Sequence, residues 1–154
     1  MRFFRALAAL AAVLFVVGCS SEQQASSSAS ASTTVTPGSA ADFSQNVGDR
    51  VYFQTDESTL RDDARQTLGR QAEWLKKYTN YQITVAGHCD ERGTREYNLA
   101  LGERRANAAR QYLVAQGIPA ARIKTISYGK ERPDPAGSDE QAWALNRRAV
   151  TELQ

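Results

Sequence analysis

The chain has 154 residues, 42% of them hydrophobic, with 19 Lys/Arg against 17 Asp/Glu and a single histidine. Once its ends are set aside, that length suits one domain with a modest core rather than two. The net charge of +2 resides in Arg2 and Arg5, so the remainder is balanced and lacks the cation excess that nucleic-acid binding through phosphate neutralisation requires.

Arg2 and Arg5 precede an apolar run from Ala6 to Val17, followed by Gly18 and Cys19. A charged start and a short apolar stretch predict a secretory signal over residues 1–18, since about twelve apolar residues fall short of the ~20 that span a bilayer. The run "VVGC" resembles the lipobox of bacterial lipoproteins, with Val16 where leucine is usual. That resemblance implies cleavage before Cys19 and acylation of its thiol. Two or more acyl chains, at ~0.8 kcal/mol per buried methylene, anchor a protein stably to a membrane. Ser20, rather than aspartate, after the cysteine points by the same resemblance to the outer membrane.

From Ser20 to about Ala41 the chain is almost entirely Ser, Ala, Thr and Gln, with Pro37 and Gly38 near its end. Such a composition cannot offset the entropy of ordering and predicts a flexible tether with a typical reach of about 25 Å. The expected organisation is therefore a signal over 1–18, lipidated Cys19 with a tether to 45, and a folded domain over 46–154.

Within that domain "RVYFQTD" (50–56) is short and aromatic and reads as a strand. Leu60, Ala64, Leu68, Leu75 and Tyr78 recur at helical spacing in 59–78, with Thr59 as the expected cap and Asp62 and Asp63 in the first turn. "YQITVAGH" alternates Tyr81, Ile83 and Val85 against polar or small neighbours, a second strand. A second helix follows over 94–115, closed by "QGIP"; "RIKTISYG" gives a third strand, "GSDEQAWALN" a short helix and "RRAVTEL" a last strand. This alternation predicts an α/β sandwich with helices against one sheet, and leaves the strand order open.

Leu99, Gly102, Ala106, Ala109 and Leu113 share one stripe of the second helix. Gly102 costs about 1 kcal/mol relative to alanine in a helix interior, which a close approach to the sheet would explain. Asn98, Leu101, Arg105 and Tyr112 form the neighbouring face, placing Arg105 at the edge of the core.

The densest charge lies in "GHCDERGTREYNLALGERRA", residues 87–106. A metal site is disfavoured: His88, Cys89 and Asp90 are consecutive on a strand end, where successive side chains diverge, and the domain has no further His or Cys. The same divergence argues against a nucleophilic Cys89, which reads instead as a small packed residue. With Cys19 acylated, Cys89 also has no disulfide partner. Binding fits better. Asp90 offers an acceptor for an ammonium, and Gly93 and Thr94 provide the turn and cap of a helix start, which favours a carboxylate. Arg105, about three turns on, has the fork for a two-pronged carboxylate contact, unless it and Asp90 simply pair with each other.

"VYFQTD", "GHCDERGTREYNLALGERRANAARQYL", "ISYGKERP" and "NRRAV" are similar in order and spacing to the OmpA-like domain, most closely to that of the peptidoglycan-associated lipoproteins. The resemblance spans roughly 46–154 and implies a βαβαββ-type sandwich with a short third helix before the last strand. It implies a non-catalytic protein without cofactor whose ligand is the peptide stem of peptidoglycan, gripped at diaminopimelate. It also implies the Tol-Pal system as context, with the propeller protein TolB as periplasmic partner, and a role in outer-membrane integrity and division. By motif position the binding residues are Asp90 and Arg105, then Asn98 and Leu101, with Arg92, Asp56 and Arg147 nearby. The sequence departs from the common pattern at Thr55, where phenylalanine is frequent, and at Cys89, where threonine or alanine is. Two alternatives stand beside this reading: a wall-binding lipoprotein outside the Tol system, and a periplasmic wall-modifying enzyme. A flagellar stator relative would need a membrane-spanning helix.

Overall fold

In the computed structural model, residues 35–154 are described. The expected signal, Cys19 and most of the tether lie outside them. Four strands, β1 (Arg50–Tyr52), β2 (Ile83–His88), β3 (Ile123–Gly129) and β4 (Arg148–Leu153), make one sheet in the order β1-β4-β2-β3. The last strand enters the middle, antiparallel to both neighbours, while β2 and β3 run parallel. Helix α2 (Asp62–Lys77) joins β1 to β2, α3 (Arg95–Ala115) joins β2 to β3, and α4 (Glu140–Asn146) leads into β4. The expected mixed α/β sandwich, with its short helix before the last strand, is the fold observed.

The period-two pattern of β2 explains the layering. Ile83 and Val85 are buried, and Gly87 continues their face against α3. They join Leu68 and Leu75 of α2 and Ala106, Ala109 and Leu113 of α3 in one core. The two layers touch most closely where glycine meets glycine: a Cβ added to Gly87 would collide with the Gly102 carbonyl, and one added to Gly102 with Ser127 Oγ. The buried amide of Gln71 is satisfied across the layers, donating to Gly48 O at 2.7 Å and accepting from Thr151 Oγ1 at 2.8 Å.

Three boundaries differ from the sequence reading. The folded unit starts before residue 46: helix α1 (Ala40–Asp42) runs into a π-helical turn, Phe43–Gly48, and Phe43 is buried against Trp74 with ring centroids 4.9 Å apart. Asp42 anchors this segment by accepting from the Trp74 indole N–H and from Gly38 N, both at 2.8 Å. One aromatic in a Ser/Ala-rich stretch gave too little pattern to reveal it. Thr59 is exposed and caps nothing; α2 begins at Asp62, with Arg61 at the cap position. Strand β1 ends at Tyr52 because the carbonyls of Gln54 and Glu57 are drawn out of the ladder to the Arg105 side chain.

Gly69 lies inside α2, and its nearest neighbour for an added Cβ is Tyr112 Oη at an ordinary 3.9 Å. Gly69→Ala is therefore expected to stabilise by about 0.5–1 kcal/mol through helix propensity. Gly102→Ala should instead destabilise by about 1–3 kcal/mol, because overpacking outweighs the same propensity gain. Urea denaturation of the two variants checks the opposite signs.

Candidate functional site

The site forms where β2 ends and α3 begins. Cys89 N still donates to Gly129 O at 2.8 Å, so the strand pairing carries one residue past β2 and delivers Asp90 at its tip. Gly93, at φ +87°, turns the chain, and Thr94 caps α3 by accepting from Tyr97 N at 3.2 Å. Asn98 braces this loop from one turn inside the helix, donating to Arg92 O at 2.7 Å and Thr94 O at 3.0 Å. Lys130 holds it from outside, on Glu91 O at 3.0 Å and Gly93 O at 2.7 Å.

Asp90 is 7% exposed. Arg92 grips it through Nε on Oδ1 at 3.1 Å and Nη2 on Oδ2 at 2.7 Å, and adds its backbone N–H on Oδ1 at 3.1 Å. Arg147, from the junction of α4 and β4, adds Nη1 on Oδ2 at 3.3 Å. Burial works against the charge of Asp90, but the bonds from Arg92 outweigh it and hold the carboxyl below its ordinary pKa. Arg147 is itself buried and also binds Glu140 at 2.8 Å and Phe53 O at 3.3 Å.

Arg105 is 0% exposed. Its fork donates to three main-chain carbonyls: Nε to Glu57 O at 2.8 Å, Nη1 to His88 O at 2.9 Å and Nη2 to Gln54 O at 3.0 Å. An ion pair of Asp90 with Arg105 is therefore not what forms; the partners of Asp90 are Arg92 and Arg147. A guanidinium has five N–H groups, so each terminal nitrogen of Arg105 keeps one N–H beyond these three bonds, buried within the protein. Asp56 stands on the loop that Arg105 pins, exposed and at φ +58°. Leu101 is buried at 3% and packs behind the site rather than lining its opening.

Thr55, Asp56, Arg92, Gly93 and Tyr97 line a surface cleft of about 240 Å³. A larger recess of about 360 Å³ lies between α1 and β4, lined in part by Phe43, Asp49 and Val150, and includes none of the expected site residues. The smaller cleft is the candidate because charged side chains and an exposed aromatic, Tyr97, meet there. Thr55 leaves one wall without a ring, while Tyr97 stands 42% exposed at the cleft. Trp143 adds a further surface: Arg92 sits 4.3 Å from its ring centroid, and its indole donates to Glu91 Oε1 at 3.1 Å. Trp143, Tyr97, Glu140 and Lys130 escaped the sequence reading. An aromatic inside a short charged helix, "SDEQAW", was the available signal for Trp143.

Cys89 is 3% exposed, donates its thiol to Asn98 O at 3.3 Å, and is pushed up to a pKa of about 11 by burial. It is a packed thiol, as the sequence suggested, and stays protonated near neutral pH. His88 points to the opposite side of the sheet, beside Tyr128 at 5.4 Å between ring centroids. It is 4% exposed, and its Nδ1 has no hydrogen-bond partner among the described residues. Burial, with nearby Arg148, lowers its pKa to about 4.

Comparison with known proteins places this geometry in a class: the OmpA family pattern matches residues 52–147, and the chain belongs to the OmpA family. Within it, the chain groups with the peptidoglycan-associated lipoproteins. It is 54% identical over 149 residues to the one from Mesorhizobium japonicum, covering 94% of this chain and 89% of that one. It is likewise 54% identical over 153 residues to that of Agrobacterium fabrum, covering 96% of this chain and 86% of the relative. Among solved structures, the peptidoglycan-associated lipoprotein from Burkholderia pseudomallei superposes with a TM-score of 0.70 at 39% identity, over 74% of this chain and 98% of that one. The C-terminal domain of Helicobacter pylori MotB, at 19% identity and a TM-score of 0.64 over 69% of this chain and 84% of its own, shares the fold.

The His88 shift has a definite sign. Its folded pKa of about 4 lies below the ordinary 6.5, so on acidification the unfolded chain takes the proton first. Stability is then full above pH 6.5 and falls as pH drops toward 4, by up to about 3 kcal/mol at 1.36 kcal/mol per pKa unit. Being the sole histidine, it makes His88→Asn the test: in denaturation series between pH 7 and 4.5 the variant should lose most of the slope that the parent shows.

Proposed function

We propose that this chain is an outer-membrane lipoprotein, anchored by acyl chains on Cys19 and facing the periplasm, that binds peptidoglycan non-covalently. The ligand contact is the diaminopimelate of the stem peptide, whose side chain carries an ammonium and a carboxylate on one carbon. Asp90 takes the ammonium. Arg105 meets the carboxylate with its two uncommitted N–H groups, a contact that requires the exposed Gln54–Glu57 segment to give way. Asn98 positions the loop between them, Leu101 packs behind it, and Arg92, Asp56 and Arg147 complete the surroundings. The observation that carries this reading is the cleft itself: a nearly buried, ionised aspartate at its margin, set among three guanidinium groups. A group kept ionised suits recognition, whereas a general acid needs a carboxyl whose pKa is raised.

With one end in the membrane and the other on the wall, the protein tethers the outer membrane to the cell wall without making or breaking a bond. The resemblance of its motifs extends this to the Tol-Pal system, with TolB and other Tol proteins as partners, and to outer-membrane integrity and invagination during division.

Full-length protein in detergent, mixed with purified wall sacculi and centrifuged, tests the site. Asp90→Ala should fall at least about tenfold in sedimented fraction, the scale of a lost charge-assisted bond left uncompensated. Arg105→Lys should lose binding and also stability, because a point ammonium cannot serve three diverging carbonyls. Folded Asp90→Ala that sediments like the parent would refute the site. Separately, Cys19→Ser should move the protein from the membrane fraction to the soluble periplasm on cell fractionation.

A further inference from the structure

Asp90 has no acceptor capacity left. A carboxylate offers about four lone-pair positions, and four N–H groups occupy them: the backbone and Nε of Arg92 on Oδ1, and Arg92 Nη2 and Arg147 Nη1 on Oδ2. An arriving ammonium must therefore displace a donor. The donors are held very differently. The Arg147 side chain is 6% exposed and is also fixed by Phe53 O and Glu140. The Arg92 backbone belongs to the loop that Asn98 clasps. The Arg92 side chain is 40% exposed, and beyond Asp90 it meets the Trp143 ring, a surface on which a guanidinium can remain after letting go.

We propose that the Arg92 side chain is the displaceable counter-ion of Asp90 and, through that exchange, the residue that selects a zwitterionic side chain over a simple amine. This rests on the reading that Asp90 receives the ligand's ammonium. A simple amine that enters strands the Arg92 guanidinium without an anion and adds a cation beside Arg147 and Arg105. A side chain with an ammonium and a carboxylate on one carbon replaces the ion pair at Asp90 and brings its own anion, which Arg105 meets on one side and the released Arg92 guanidinium faces on the other. The charge count of the site is then unchanged, and one ion pair has become two.

The test is calorimetric titration of full-length protein in detergent with two stem tripeptides, one ending in diaminopimelate and one with lysine in its place. Parent protein should favour the diaminopimelate peptide. In Arg92→Ala the lysine peptide should bind about two- to fivefold tighter, the scale set by releasing a partly exposed ion pair, and the preference between peptides should shrink. A variant that merely misfolds weakens both peptides, so a gain for one cannot come from damage. Lysine-peptide affinity that is unchanged or weaker in Arg92→Ala, with diaminopimelate binding retained, overturns the assignment of Arg92 alone. Parent protein that ignores both peptides overturns the role of Asp90 and this inference with it.

Discussion

The structure around the cleft depends on one buried cation. Arg105 lies wholly inside the protein and gathers three carbonyls from two distant segments, Gln54 and Glu57 after β1 and His88 at the end of β2. Desolvating a guanidinium is costly unless its donors are satisfied, and only a rigid planar fork serves three acceptors at once. Two of these bonds satisfy the Gln54 and Glu57 carbonyls, which lie past the end of β1. Together the three fix the Thr55–Asp56 side of the cleft to the strand that carries Asp90. The Phe53 ring, 5.2 Å from the guanidinium, covers it from beneath.

A second constraint sets the depth of the site. Because Gly87 and Gly102 let α3 lie directly on β2, the first turns of the helix come within hydrogen-bond reach of the strand-end loop. Asn98 and the Cys89–Asn98 contact follow from that closeness. The result is a loop rigid at its base, with one exposed arginine over its aspartate. The protonated Cys89 thiol packs at the base of this loop, and the His88 imidazole lies on the other side of the sheet.

The regular elements were legible in the sequence: both long helices, all four strands, the first of them read too long, and the short helix before the last strand. The close approach at Gly102 was legible too, because glycine inside a helix needs a reason. Weak signals failed. Phe43 alone in a polar stretch did not announce the folded start, and Thr59 looked like a cap although the helix waits for Asp62. At the site, motif position singled out Asp90 and Arg105. It could not show that Arg105 turns to backbone carbonyls, or that Trp143, Lys130 and Glu140 converge from far along the chain, since no spacing rule links residues forty or more positions apart.

What the sequence determined by itself is local and compositional: the alternation of strands and helices, the balanced charge, the cap at Thr94, and family membership through several motifs in register. Only the tertiary structure decided which arginine pairs with Asp90. The chain has many guanidiniums within reach in principle, and the choice was made by the insertion of β4 between β1 and β2, which brings Arg147 to the strand tip, and by the turn in which Arg92 N donates to Asp90 Oδ1, which folds Arg92 back over the carboxylate. Ion pairing depends on distance and desolvation, and both are properties of the packed chain rather than of the order of its residues.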